Sequence, residues 1–109
     1  MNPLCSVELS PDAGATVATL RGEIDLSNAA DIEEQLVVAG QTAGVLVIDL
    51  AALAYIDSSG FGMLERLSRK TKLRIAVPAT ALVHRAFAVT GLAQVVPVFP
   101  GVAEALAHG

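Results

Sequence analysis

A chain of 109 residues with a formal net charge of −4 and 53% apolar side chains is long enough for one domain, 1–109, with a sizeable core. The acidic balance argues against a nucleic-acid partner, because a phosphate backbone demands a basic surface. Aromatic residues are confined to Tyr55, Phe61, Phe87 and Phe99, so the core has to be built from Val, Leu, Ile and Ala.

The first five residues carry no basic region ahead of an apolar block, so no secretory leader is expected. No apolar run reaches the ~18–20 residues a membrane span needs. The single cysteine, Cys5, leaves no internal disulfide and fits a reducing cytoplasm, with its thiol on a buried strand position. Residues 4–9 alternate in polarity and predict a first strand. Ser10-Pro-Asp-Ala-Gly14 is turn chemistry, and residues 15–21 form a second strand, antiparallel to the first. Residues 22–28 end that strand and start a helix capped by Ser27 or Asn28. Asp31, Glu33 and Glu34 sit where the helix dipole favours acids, and Ile32, Leu36 and Ala39 make its apolar face. Gly40 and Gly44 bracket the link to residues 45–50, a β-branched run that reads as a strand covered on both faces.

Asp57-Ser58-Ser59-Gly60 then opens a second helix running to about Arg69, with Leu64 and Leu67 on its apolar stripe and Met63 flanking it, as core or as an apolar anchor beside Ser58. Five of the seven basic residues fall within 66–74 and read as a solvated helix end, where cations offset the dipole. A fourth strand over 73–77 is closed by Pro78. Thr80 is expected to cap a third helix carrying Leu82, Val83, Ala86 and Phe87, which stops at Thr90-Gly91. Residues 95–99, interrupted by Pro97, suggest a short edge strand, and 102–107 a terminal helix. The order ββαβαβαβα is an α/β fold: a mixed, mostly parallel sheet of four to five strands with four helices. Sites in such sheets gather beyond the carboxyl ends of the strands, which brings the 23–28 loop beside the 57–60 loop.

The chemistry concentrates on those two loops. A strand leading into a polar helix start leaves free N–H groups pointing outward, an anion-tolerant edge. From spacing alone, Ser58 reads first as a helix cap and second as a modifiable hydroxyl. Asp57 is a cap or a partner contact, Ser59 a first-turn residue. Gly60 and Gly62 weaken a helix, so something requires close backbone approach there, a neighbouring strand or a partner. Phe61 is expected partly exposed beside Ser58, and Asp25 is a turn-former or part of the same surface. Catalysis finds little support: Ile56 stands where a nucleophile elbow needs glycine, and His84 and His108 have no obvious partner. One cysteine with two distant histidines makes no metal site, no P-loop is present, and no cofactor is expected.

Gly22-Glu-Ile-Asp25, the stretch from Leu50 through Asp57-Ser58-Ser59-Gly60-Phe61-Gly62, and residues 90–106 together resemble the STAS domain family, specifically the anti-sigma factor antagonists. The central stretch, in its strand-then-helix setting, is the specific one. The resemblance implies that Ser58 is phosphorylated by a partner anti-sigma factor of the protein kinase type. Dephosphorylated protein would bind that partner and release the sigma factor for transcription, and a serine phosphatase would reset the phosphorylated form. It further implies a partner surface of Asp25, Asp57, Ser58, Ser59, Gly60 and Phe61 on a non-enzymatic stress-response protein. That protein is expected in the cytoplasm without direct membrane contact, as a monomer or weak homodimer. Relatives usually have a longer second helix and a Gly-Gly turn before the fourth strand, whereas residues 66–74 here run on without glycine. The alternative is a constitutive STAS subunit docking on a membrane transporter of the lipid transport ATPase type. Such relatives tend to carry Thr or Ala at the Ser58-Ser59 positions.

Overall fold

The computed structural model describes residues 4–108. The Met1–Pro3 stretch, read as carrying no secretory leader, lies outside the described residues. Strands β1 (Cys5–Asp12) and β2 (Ala15–Ile24) pair antiparallel, joined by the two-residue turn Ala13-Gly14, both at positive φ. The expected five-residue turn is thus tighter, and the strand runs through Pro11. Proline is tolerated there because β1 lies at the sheet edge.

Helix α1 (Ala29–Thr42) crosses over to β3 (Val45–Asp49), which runs parallel to the first half of β2. Leu46, Val47 and Ile48 are completely buried, as a doubly covered strand requires. Gly40 lies inside α1 instead of in the link; a side chain there would meet Thr71 Oγ1 at 2.8 Å.

The chain then does something the sequence order did not anticipate. It breaks at Leu50, residues 51 and 52 turn, and Leu53–Ile56 forms a further strand, β4. β4 pairs with the far half of β2, in the lane β3 has just left. The register shifts at Gly22, which has φ +108 and lies so close to Leu4 that a Cβ would fall 2.2 Å from its carbonyl oxygen. Only glycine satisfies both conditions.

Helix α2 (Ser58–Ser68), β5 (Leu73–Ala76), α3 (His84–Thr90), a 3₁₀ turn (Leu92–Gln94), β6 (Val98–Phe99) and α4 (Val102–Ala107) complete the order. The six-stranded sheet runs β1-β2-β3-β5-β6, with β4 beside β2, and every pair except β1·β2 is parallel. The α/β architecture and its four helices are as expected, with one strand more.

Strand alternation divides the core between two faces. On one, Ala18, Leu20, Leu46, Ile48 and Ile75 meet Ile32 and Leu36 of α1, Met63, Leu64 and Leu67 of α2, and Phe87 of α3. On the other, Val17, Val47 and Ala76 meet Ala105 of α4 in a smaller cluster. Each fully buried leucine of α2 contributes roughly 1.5–3 kcal/mol by leaving water, so this helix is held by packing.

Two local expectations fail. Thr80 caps nothing: residues 79–83 are a turn, α3 begins at His84, and Leu82 is exposed. Arg74 is not part of a solvated helix end. It lies on β5 under α4, 7% exposed, and donates from Nη1 to the Ala105 carbonyl at 2.8 Å. Gly91 ends α3 at φ +74, as its place in the sequence indicates.

Candidate functional site

The carboxyl ends of β2 and β4 define the site. Ile24 stands opposite Ile56, and Asp57 N–H donates to the Ile24 carbonyl at 3.3 Å, so the Asp25 loop and the start of α2 are fixed side by side. That contact exists only because β4 continues the lane beside β2.

Each loop is closed by its own side chains. Asp25 Oδ1 accepts from Ser27 N–H at 2.8 Å and from the Ser27 hydroxyl, while Asp25 N–H donates to Asn28 Oδ1 at 2.9 Å. The Ser27 hydroxyl, then its N–H, hold the Asp25 carboxyl below the usual aspartate range, against a small opposing effect of burial. Asn28 precedes α1 as expected, but its side chain serves the loop: it accepts from Asp25 and donates to the Glu23 carbonyl at 2.9 Å. Ser27, the other proposed cap, makes no cap bond to α1.

Asp57 caps α2. Its Oδ1 accepts from Ser59 N–H at 2.9 Å and Gly60 N–H at 3.4 Å. Ser58 is therefore not the cap; it is the first residue of the helix, exposed to solvent. With the capping already done by a carboxylate, the Ser58 hydroxyl is spare.

Gly60 faces the sheet. A Cβ at this position would lie 2.4 Å from Ile56 Cγ1 and 3.1 Å from Ile24 Cγ2, so the close approach is to the neighbouring strands. Expected on the partner surface, Gly60 is buried against Ile24 and Ile56, where it positions α2. Gly62 has only the flexible end of Arg66 nearby, at 3.3 Å, so packing does not require glycine there. Phe61 is half-buried, edge-on to Phe87 with ring centroids 4.9 Å apart. Ser59 is partly buried in the first turn, and Met63 is wholly in the core.

A groove of about 360 Å³ adjoins Ser58. Phe61, Gly62 and Glu65 form one side, Thr90, Leu92 and Val95 the other. Val95 is 62% exposed, and Leu26, beside Asp25, 83%. Sequence reasoning missed this wall: Val95 reads as a strand residue, and the 3₁₀ turn that turns it outward has no signature in the pattern.

The family comparison decides the affiliation, since the STAS domain model matches residues 6–105. The chain belongs to the STAS domain family. Among solved structures, this STAS domain is similar to an anti-sigma factor antagonist from Mycobacterium paratuberculosis. The identity is 25%, the TM-score 0.84, and the match covers 94% of this chain and 91% of that one. It also shares its fold with SpoIIAA of Bacillus in its unphosphorylated form, at 19% identity and TM-score 0.71 over 93% of each chain. A sulfate transporter family protein from Wolinella succinogenes has the same fold at 21% identity and TM-score 0.69, over 88% of this STAS domain and 84% of that chain. No curated protein matches the sequence.

Proposed function

We propose that this STAS domain is an anti-sigma factor antagonist whose docking surface is the edge formed by Asp25, Leu26, Asp57, Ser58, Ser59 and Phe61. In this reading it binds a cytoplasmic anti-sigma factor of the serine kinase type and frees the sigma factor. Phosphorylation of Ser58 ends the complex, and a serine phosphatase restores it. The protein is a binding module and kinase substrate, not an enzyme. The observation that carries this is the placement of Ser58: an exposed hydroxyl, relieved of capping by Asp57, at the mouth of α2. Its resemblance to an anti-sigma factor antagonist over nearly the whole chain supports the partner class, and SpoIIAA is known in both unphosphorylated and phosphorylated forms.

The physics of the switch is local. A phosphate adds about −1.5 to −2 charges at neutral pH. At a helix N-terminus the free N–H groups and the dipole accommodate it, so the fold survives. A docked partner does not accommodate it: the phosphate's bulk intrudes on the groove beside Phe61 and Leu92, and its charge has to be desolvated in the interface.

Incubation with ATP and the cognate anti-sigma factor, followed by mass spectrometry, should place one phosphoryl group on Ser58 and none on the Ser58→Ala variant. Ser58→Asp should bind the anti-sigma factor at least about tenfold more weakly than the unmodified chain. Equal binding would sink the charge switch. The transporter-like fold from Wolinella motivates a second reading, a constitutive subunit on a membrane transporter. Co-purification with a transporter, and no phosphoryl gain on Ser58, would favour it.

A further inference from the structure

The basic run at 66–74 divides into two groups. Arg66 and Lys70 pair with Glu33, and Arg69 with Glu65. Lys72 and Arg74 have no carboxylate partner among the described residues, and both line a recess of about 280 Å³ at the amino edge of β5 and β6. Ser58 stands at the other end of α2, beyond the carboxyl ends of the strands, and Val95 borders both this recess and the groove beside Ser58. His108, its ring tilted at 57° against Phe99 with centroids 5.0 Å apart, lines it too. Val95 and Pro97 supply an apolar wall.

Arg74 is the unusual member. A cation this deeply buried is costly unless paired. Its bond to Ala105, in the last turn of α4, compensates part of that cost through the carbonyl end of the helix dipole. That bond takes one of five guanidinium N–H groups. No fully buried side-chain nitrogen among the described residues is left without a partner, and Arg74 lines the recess. Ser68 and Thr71 also line the space, but their hydroxyls donate to the Glu65 and Gly40 carbonyls. Recognition therefore falls to Lys72, Arg74 and His108. Capping of α4 explains one donor of Arg74; it does not explain why Lys72 and His108 border the same cavity in a chain of net charge −4.

We propose that this recess binds a small phosphate monoester. The phosphate meets the Arg74 guanidinium and the Lys72 ammonium, with His108 at the rim, and the organic part lies against Val95 and Pro97. The volume is at the lower limit of small-molecule sites, which suits a short monoester and not a dinucleotide.

The test is calorimetric titration of the full chain with glycerol 3-phosphate, inorganic phosphate and glycerol. Saturable binding of the monoester is expected, tighter than inorganic phosphate, with none for glycerol. Lys72→Ala and His108→Ala alter exposed side chains and should each weaken binding about tenfold, with circular dichroism unchanged. Arg85→Ala, a cation of α3 outside the recess, should have no effect. Absence of saturable binding at millimolar monoester, or affinity indifferent to both Lys72→Ala and His108→Ala, would overturn the site. Equal affinity for inorganic phosphate would overturn the monoester assignment. Neither result bears on Ser58, so this proposal and the phospho-switch stand or fall separately.

Discussion

The first turn of α2 presents Ser58 to solvent beside an open groove, while its last turns are fastened to α1, with Arg66 and Lys70 on the Glu33 carboxylate at 2.8 Å and 3.5 Å. Met63 and Leu64 between them, and Leu67 beside Arg66, lie completely buried. One helix therefore has an exposed end and an end tied to its neighbour. Under the proposed function that division has a use: the docking edge would be set on a helix packed into the core, and a phosphate placed there would not disturb the core.

Substitutions that break this division should be graded. Leu67→Ala, in the shared buried middle, should cost about 2–5 kcal/mol in urea denaturation, because the cavity cannot collapse between α2 and the sheet. A loss below about 1 kcal/mol would mean the helix is not anchored by its core face. Gly60→Ala comes next, at about 1–3 kcal/mol, since the added methyl meets Ile56 and Ile24. This variant also tilts the open end off the sheet, so partner binding should fall along with stability. Asp57→Ala should cost about 1 kcal/mol through loss of the cap, whereas Asp57→Asn, which still caps, should retain most of it.

The smallest effect belongs to the tied end. The Arg66 hydrogen bond, with Lys70 beyond it, holds the Glu33 carboxyl below its usual range. A depressed folded value means stabilisation that is present above the unfolded glutamate pKa and lost as pH falls through the folded one. Glu33→Gln should thus destabilise by under about 1 kcal/mol at neutral pH, screened as surface pairs are, and the gap to the unmodified chain should close on acidification. A gap that persists at low pH would show that Glu33 acts by packing and not by charge.

Much of this was legible in the residues. The β-branched run at β3, the inward Leu64 and Leu67, the Gly91 stop and the limits of α4 all follow from local pattern, because each depends on neighbours within a few positions. Asp57, Ser58 and Phe61 were likewise readable as a polar helix mouth with a half-buried ring. Other features were not. Leu53-Ala-Tyr-Ile56 becomes a strand only because β2 extends far enough to pair with it, and the register shift at Gly22 removes the alternation that would have announced it. Thr80 has the chemistry of a cap, but α3 starts only at His84. Arg74 looks like its basic neighbours until α4 folds over it and offers the Ala105 carbonyl.

By itself the sequence determined most of the strands and helices, the apolar faces of β3 and α2, and that a serine stands at the start of α2, since these are consequences of side-chain chemistry at short range. Only the tertiary structure decided what those segments meet. It built the β2–β4 lane that holds the Asp25 loop against the start of α2, turned Gly60 inward and Val95 outward, and separated paired cations from unpaired ones. The physical reason is that pairing, burial and charge compensation are relations between residues far apart in the chain, and no local pattern encodes them.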